Sequence, residues 1–206
     1  MERKVAEPHR GQPVLTFPDP ASWEEWLGAE YPGSSGLWLK LAKKGCPEVT
    51  VSYAEALDVA LCFGWIDGQK RPLDDDYWLQ RFTPRTSGSR WSKINRGKAE
   101  VLIEAGRMRP AGLREVEAAR ADGRWAAAYD GQSTAAVPDD LRQALDEDAE
   151  ATAFFAGLDP ANRYAILYRI HEAKRPQTRA DRIAKFVAML HDHQTLHPVP
   201  ARKRVG

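Results

Sequence analysis

Cysteine is nearly absent: two residues in 206, Cys46 and Cys62, with no C-x-x-C spacing and no adjacent histidine. That excludes a disulfide framework and offers neither a zinc site nor a thioredoxin-like motif. Both read as free thiols, with Cys62 in the core. Long apolar runs are also missing. The longest span about ten residues, against the roughly 18 to 20 that a transmembrane helix needs. The first ten residues carry charge with no apolar stretch behind them, and Pro8, Pro13, Pro18 and Pro20 break any helix that would form there. No secretory signal or membrane span is expected, and the chain reads as cytoplasmic. Charge of one sign is lacking too, since 30 Lys and Arg offset 29 Asp and Glu. No global field marks a nucleic-acid or membrane-surface protein. P-loop, dinucleotide glycine pattern, G-x-S-x-G and H-E-x-x-H are all missing, so nucleotide hydrolysis, dinucleotide oxidoreduction and the common hydrolase designs lack support. No cofactor is expected. What the chain does have is tryptophan, seven residues, where average usage gives roughly two or three.

Along the chain, residues 1–18 read as an irregular arm. Asp19-Pro20 then supplies an N-cap and a proline at the first helical position, with Trp23, Trp26, Leu27 and Tyr31 following at helical spacing. Leu37, Leu39 and Leu41 alternate with Trp38, Lys40 and Ala42, which predicts a strand. Ser52-Tyr-Ala-Glu55 is a capping-box pattern that opens a helix ending at Gly64. Residues 65–71 and 77–82 alternate around the turn-rich Pro72–Asp76 and read as a hairpin. Ser92 caps a helix reaching Gly106. The order αβαββα points to the α+β class, a small antiparallel sheet packed with helices over 19–125. Beyond a linker at 126–137, proline- and aspartate-started helices over 138–195 form a helical bundle. Residues 196–206 read as a flexible basic tail.

The chemistry concentrates between residues 61 and 98. From Trp78 to Lys98 the chain carries Arg81, Arg85, Arg90, Lys93, Arg96 and Lys98 with no Asp or Glu, a charge of +6 in 21 residues. A helix start at Ser92 adds free N–H groups and a positive dipole end, so phosphate, carboxylate or a nucleic-acid backbone would fit there. The bland alternative is that the arginines pair with Asp74, Asp75 and Asp76 and that the tryptophans are core. Asp67, between Ile66 and Gly68, is placed to orient an arginine. It lacks the His or second carboxylate that acid–base catalysis would want. His191 and His193 stand two residues apart, a poor metal spacing on a helix.

These residues carry a resemblance. The ordered set W-L-K-L-A-K-K (38–44), S-Y-A-E-A-L (52–57), C-F-G-W-I-D-G-Q (62–69), D-Y-W-L-Q-R-F-T-P-R (76–85), W-S-K-I-N (91–95) and G-R-M-R-P-A-G (106–112) resembles the YdeI/OmpD-associated family, also called bacteriocin-protection proteins. The likeness covers roughly residues 20–195. It implies an N-terminal domain related to YjbR/CyaY-like folds and a C-terminal OmpD-associated (OmdA) domain centred on A-F-F-A-G-L-D-P-A-N-R-Y-A-I-L-Y-R-I (153–170). Stress or bacteriocin resistance is the implied role, with no catalytic residues or metal carried over.

The residues and the resemblance together support a non-enzymatic cytoplasmic binding protein with an anion-accepting cleft. Arg81 and Arg85 would contact a small anion or an anionic polymer, Ser92 and Asn95 would mark the donating helix start, and Asp67 would orient an arginine. Trp91 would form an apolar wall and Tyr77 would line the site, with a protein partner docking on the helical domain. Two alternatives stay open. One is a nucleic-acid-binding module with Trp78 and Trp91 as stacking surfaces; the other is a small-molecule enzyme using Asp67 as base.

Overall fold

The computed structural model describes residues 6–9 and 11–198. The chain divides into two compact units between Ala128 and Tyr129. In the first, β1 (Ala6–His9), β2 (Gln12–Leu15), β3 (Leu37–Ala42), β4 (Trp65–Pro72) and β5 (Tyr77–Pro84) form one sheet in the order β1-β2-β3-β5-β4. The sheet is mixed, not wholly antiparallel: β2 runs parallel to β3, with Val14 opposite Trp38, while the other pairs are antiparallel. A parallel neighbour needs a crossover connection, and α1 (Pro20–Glu30) supplies it. The arm read as irregular therefore contributes two strands. Both are short and proline-bearing, and β2 pairs with residues more than twenty positions away, so they leave little local signal.

The helices α1, α2 (Tyr53–Cys62) and α3 (Lys93–Glu104) start where the cap chemistry places them, and α4 (Pro110–Ala121) starts at a proline with no side-chain cap. Asp19, Ser52 and Ser92 each accept a backbone N–H of the first turn, and the Ser52–Glu55 capping box is complete. The period of two along β3 sends Leu37, Leu39 and Leu41 into a core shared with Trp23, Trp26, Trp65, Phe82 and Trp91. Trp38 points the other way, into a small cluster with Val14 and Leu79. Gly112 lets α4 close on the end of α2. A Cβ there would strike the backbone oxygen of Cys62 and come within 2.7 Å of that of Leu61.

The second unit is helical throughout its described elements: α5 (Asp139–Asp146), α6 (Ala149–Ala156), α7 (Pro160–His171) and α8 (Pro176–His191). Leu141, Leu145, Phe155, Ile166, Ile170, Phe186 and Leu190 make its core. The last helix begins at Pro176, a proline at its first position. The expected tail starts ordered, since the Asn162 amide bonds both the N–H and the carbonyl of His197; its basic residues, 199–206, lie outside the described ones. Among the described residues no helix is long and apolar enough to cross a membrane.

Candidate functional site

The hairpin of β4 and β5 carries a bulge, because Asp67 pairs with Phe82 but Lys70 pairs with Gln80. Three steps on β4 thus span two on β5, which bends the strand and turns its side chains. The buried Gln80 amide donates to the carbonyls of Gly68 and Gln69 and holds the bulge in place. Opposite Phe82, Asp67 shares the helix-facing side of the sheet. Its carboxylate accepts the Tyr53 hydroxyl at 2.8 Å and the Asn95 amide at 3.4 Å. Ser92 Oγ in turn accepts the Asn95 N–H at 3.1 Å. Asp67 therefore ties β4 to the first turns of α2 and α3. A carboxylate beside a helix N-terminus is favoured by the dipole, and Asp67 takes such a place through the Asn95 side chain.

Arg85 is 6% exposed. Its guanidinium carbon lies 3.5 Å from the centre of the Trp91 ring, and Nη1 donates to the Arg90 carbonyl at 3.1 Å. Trp91, 1% exposed, meets Trp125 edge-on at 4.8 Å. Trp91 thus presents no ring for stacking on a base, and Trp125 packs against the core of the first unit. Other cations of the basic window are also engaged. Arg96 donates to the Trp125 carbonyl and lies 3.9 Å from Glu100, and Lys98 pairs with Asp58 at 2.7 Å. The three aspartates of the turn are not the arginines' partners in these bonds. Asp74 instead accepts the N–H groups of Asp76 and Tyr77, closing its own turn.

Arg81 and Tyr77 go to the opposite, outer face of the sheet. Arg81 pairs with Trp38 and Tyr77 with Ala42 in the β3–β5 register, and directly opposed residues share a face. The set of seven therefore splits: Asp67, Ser92 and Asn95 form one connected group, Arg85 and Trp91 a second on the same side, and Arg81 and Tyr77 stand apart from both. On the outer face Arg81 Nε donates to Gln12 Oε1 at 2.8 Å. The Arg71 guanidinium lies 5.9 Å over Trp38, and Lys40 Nζ sits 3.5 Å over the Tyr77 ring. Tyr77 donates to Glu48 Oε2 at 2.6 Å. Hydrogen bonding with Cys46, and then with Glu48, pushes its phenol well above the ordinary range. Among the described residues none of Lys40, Arg71 and Arg81 forms an ion pair with a carboxylate. Lys40 and Arg71 were missed in sequence because they stand 41 and 10 positions from Arg81. The one available signal was the strand period that puts Trp38 and Lys40 on one side.

In the second unit, α5 and α8 frame a groove of about 880 Å³ floored by Ile183, Ala184 and Val187 and closed at its ends by two ion pairs, Asp140–Arg179 and Asp148–His191. A smaller cavity of about 230 Å³ is walled by Tyr129, Tyr164 and Tyr168. The histidines near the end of α8 each meet a carboxylate, His191 with Asp148 at 3.0 Å and His193 with Glu150 at 2.7 Å. No group of three metal-ligating side chains occurs among the described residues.

No curated protein and no solved structure matches the chain. Residues 15–115 match a family model described as a domain of unknown function, DUF8412, which gives the expected YjbR/CyaY relation no support. Residues 134–193 match the model described as "Bacteriocin-protection, YdeI or OmpD-Associated". The likeness drawn over residues 20–195 thus narrows to its C-terminal part, and the helical second unit is the part of this chain that is similar to the OmdA family.

Proposed function

We propose that the protein is a binding protein whose first unit holds an extended anion on the outer face of its sheet, through Lys40, Arg71 and Arg81. The observation that carries this reading is three cations on three adjacent strands with no carboxylate ion-pair partner among the described residues. Neighbouring strands lie about 4.8 Å apart, so the cations form a broad positive strip. Such a strip suits a chain of phosphates better than a single one, since each added contact releases counterions and adds affinity. Arg85, Ser92, Asn95 and Asp67 serve this reading as the buried frame that fixes β4 and β5 against the helices. The context we adopt is the one named by the family description matched over residues 134–193, bacteriocin protection. YjbR/CyaY kinship of the first unit and a bundle arrangement of the second remain part of the proposal.

The test is titration with inorganic polyphosphate at low and moderate salt. The expected result is affinity that falls steeply with salt, and a loss of about tenfold or more in Arg71→Gln/Arg81→Gln. Polyphosphate binding that is indifferent to salt, or to both substitutions in a folded variant, would overturn the reading.

A further inference from the structure

Three of the six tyrosines gather around one cavity of the second unit. Tyr168 is central: its ring centre lies 5.1 Å from that of Tyr129, nearly perpendicular, and 5.9 Å from that of Tyr164, tilted by 41°. Tyr129 comes from the stretch read as a linker, whereas Tyr164 and Tyr168 are one turn apart on α7. The Tyr164 hydroxyl donates to the Asp130 carbonyl at 2.9 Å and so fixes that stretch against the helix. The three rings form a continuous aromatic wall of the cavity, Tyr168 touching each of the other two.

We propose that this cavity binds a methylated ammonium group. Aromatic faces carry the negative part of the ring quadrupole, and cages of two or more rings hold quaternary ammonium heads by cation–π attraction combined with apolar contact. The cavity, about 230 Å³, is smaller than the roughly 300 to 1,000 Å³ of a drug-sized pocket, which suits a compact head group. Burial first, and then the neighbouring phenols and Asp130, push Tyr164 up to about 12, so its phenol stays neutral with its hydroxyl turned to the Asp130 carbonyl. Of the cationic side chains on the wall, Arg179 has its guanidinium held by the Asp140 carboxylate and the Ile170 carbonyl. His171 completes the wall.

This inference is independent of the sheet-face reading, and its test uses a different probe. The full chain is titrated with choline and, in parallel, with 3,3-dimethylbutan-1-ol, a neutral isostere of the same shape, following the ring resonances of the three tyrosines. The expected result is saturable binding of choline about tenfold tighter than the alcohol, retained within about threefold in Tyr164→Phe, which keeps the ring, and lost in Tyr168→Leu. If Tyr168→Leu does not fold, the isostere comparison on the unaltered chain decides alone. Equal affinity for the two compounds, no binding of choline, or shifts confined to other residues would overturn the proposal.

Discussion

All seven tryptophans lie in the first unit and none in the second, whereas the tyrosines divide evenly, three and three. The first unit spends its indoles on packing. Trp23, Trp26 and Trp65 meet one another within 6.3 Å and close the core under the sheet with Phe17 and Phe82. Packing there outweighs polar satisfaction: the Trp23 indole donates to the Ala56 carbonyl, but those of Trp65 and Trp91 are buried with no acceptor among the described residues. The second unit closes its core with aliphatic side chains and phenylalanine, places its tyrosines around a cavity, and fastens its helices at the surface with Asp140–Arg179, Asp148–His191 and His193–Glu150. Stability that rests on buried rings responds to volume. Surface charge pairs respond instead to pH and salt.

The sharpest way to break this contrast is to remove volume from the first unit. Trp23, fully buried, should cost about 3 to 5 kcal/mol on conversion to Ala, read as a lower urea midpoint by tryptophan fluorescence, a signal that comes only from this unit. Gly112→Ala, which adds one methyl group against the end of α2, should cost about 1 to 3 kcal/mol. Next in size is Arg85→Leu. Losing a buried cation–π contact and the bond to the Arg90 carbonyl should cost about 2 kcal/mol, measured the same way; an unchanged midpoint would show that Arg85 does not frame the hairpin. Asp67→Asn weakens the links to Tyr53 and Asn95 and should cost about 1 kcal/mol.

For the second unit the lever is pH. The Asp148 carboxylate beside His191 raises the imidazole above its ordinary 6.5. That contribution is complete below 6.5 and is lost as pH rises through the raised value. Asp148 is lowered from 3.8, first by the Ala151 N–H it caps and then by His191, so its contribution is complete above 3.8 and is lost as pH falls through the lowered value. The fastening is therefore strongest between these limits. The melting of the second unit, followed by its tyrosine resonances, should shift downward as pH rises from 6 to 8, and His191→Gln should flatten the shift. The smallest expected effect is on stability in Arg71→Gln/Arg81→Gln, within about 0.5 kcal/mol of the unaltered chain, since these side chains lie at the surface of the sheet.

Much of this frame was legible in the residues. Asp19, Ser52 and Ser92 cap helices as their spacing predicts, and the hairpin observed at Trp65–Pro72 and Tyr77–Pro84 extends the expected one by only one or two residues. Caps and turns are local, so the sequence displays them. The parallel pairing of β2 with β3 is not local and was hidden. The candidate site was hidden for a related reason. A window of basic residues counts charge along the chain, whereas a strand sends alternate side chains to opposite faces and a bulge changes the phase again. Arg81 and Arg85, four apart, would share a face of a continuing strand, but β5 ends at Pro84 and Arg85 turns onto Trp91 while Arg81 stays on the outer face. Lys40 and Arg71 join Arg81 only once the register of three strands is known.

The most direct measurement follows backbone and side-chain resonances of the full chain as inorganic polyphosphate is added. The account predicts shifts at Lys40, Arg71, Arg81 and their strand neighbours, with Ser92, Asn95, Tyr164 and Tyr168 unmoved. Shifts centred on Ser92 and Asn95 at the start of α3, or no shift anywhere at low salt, would contradict it.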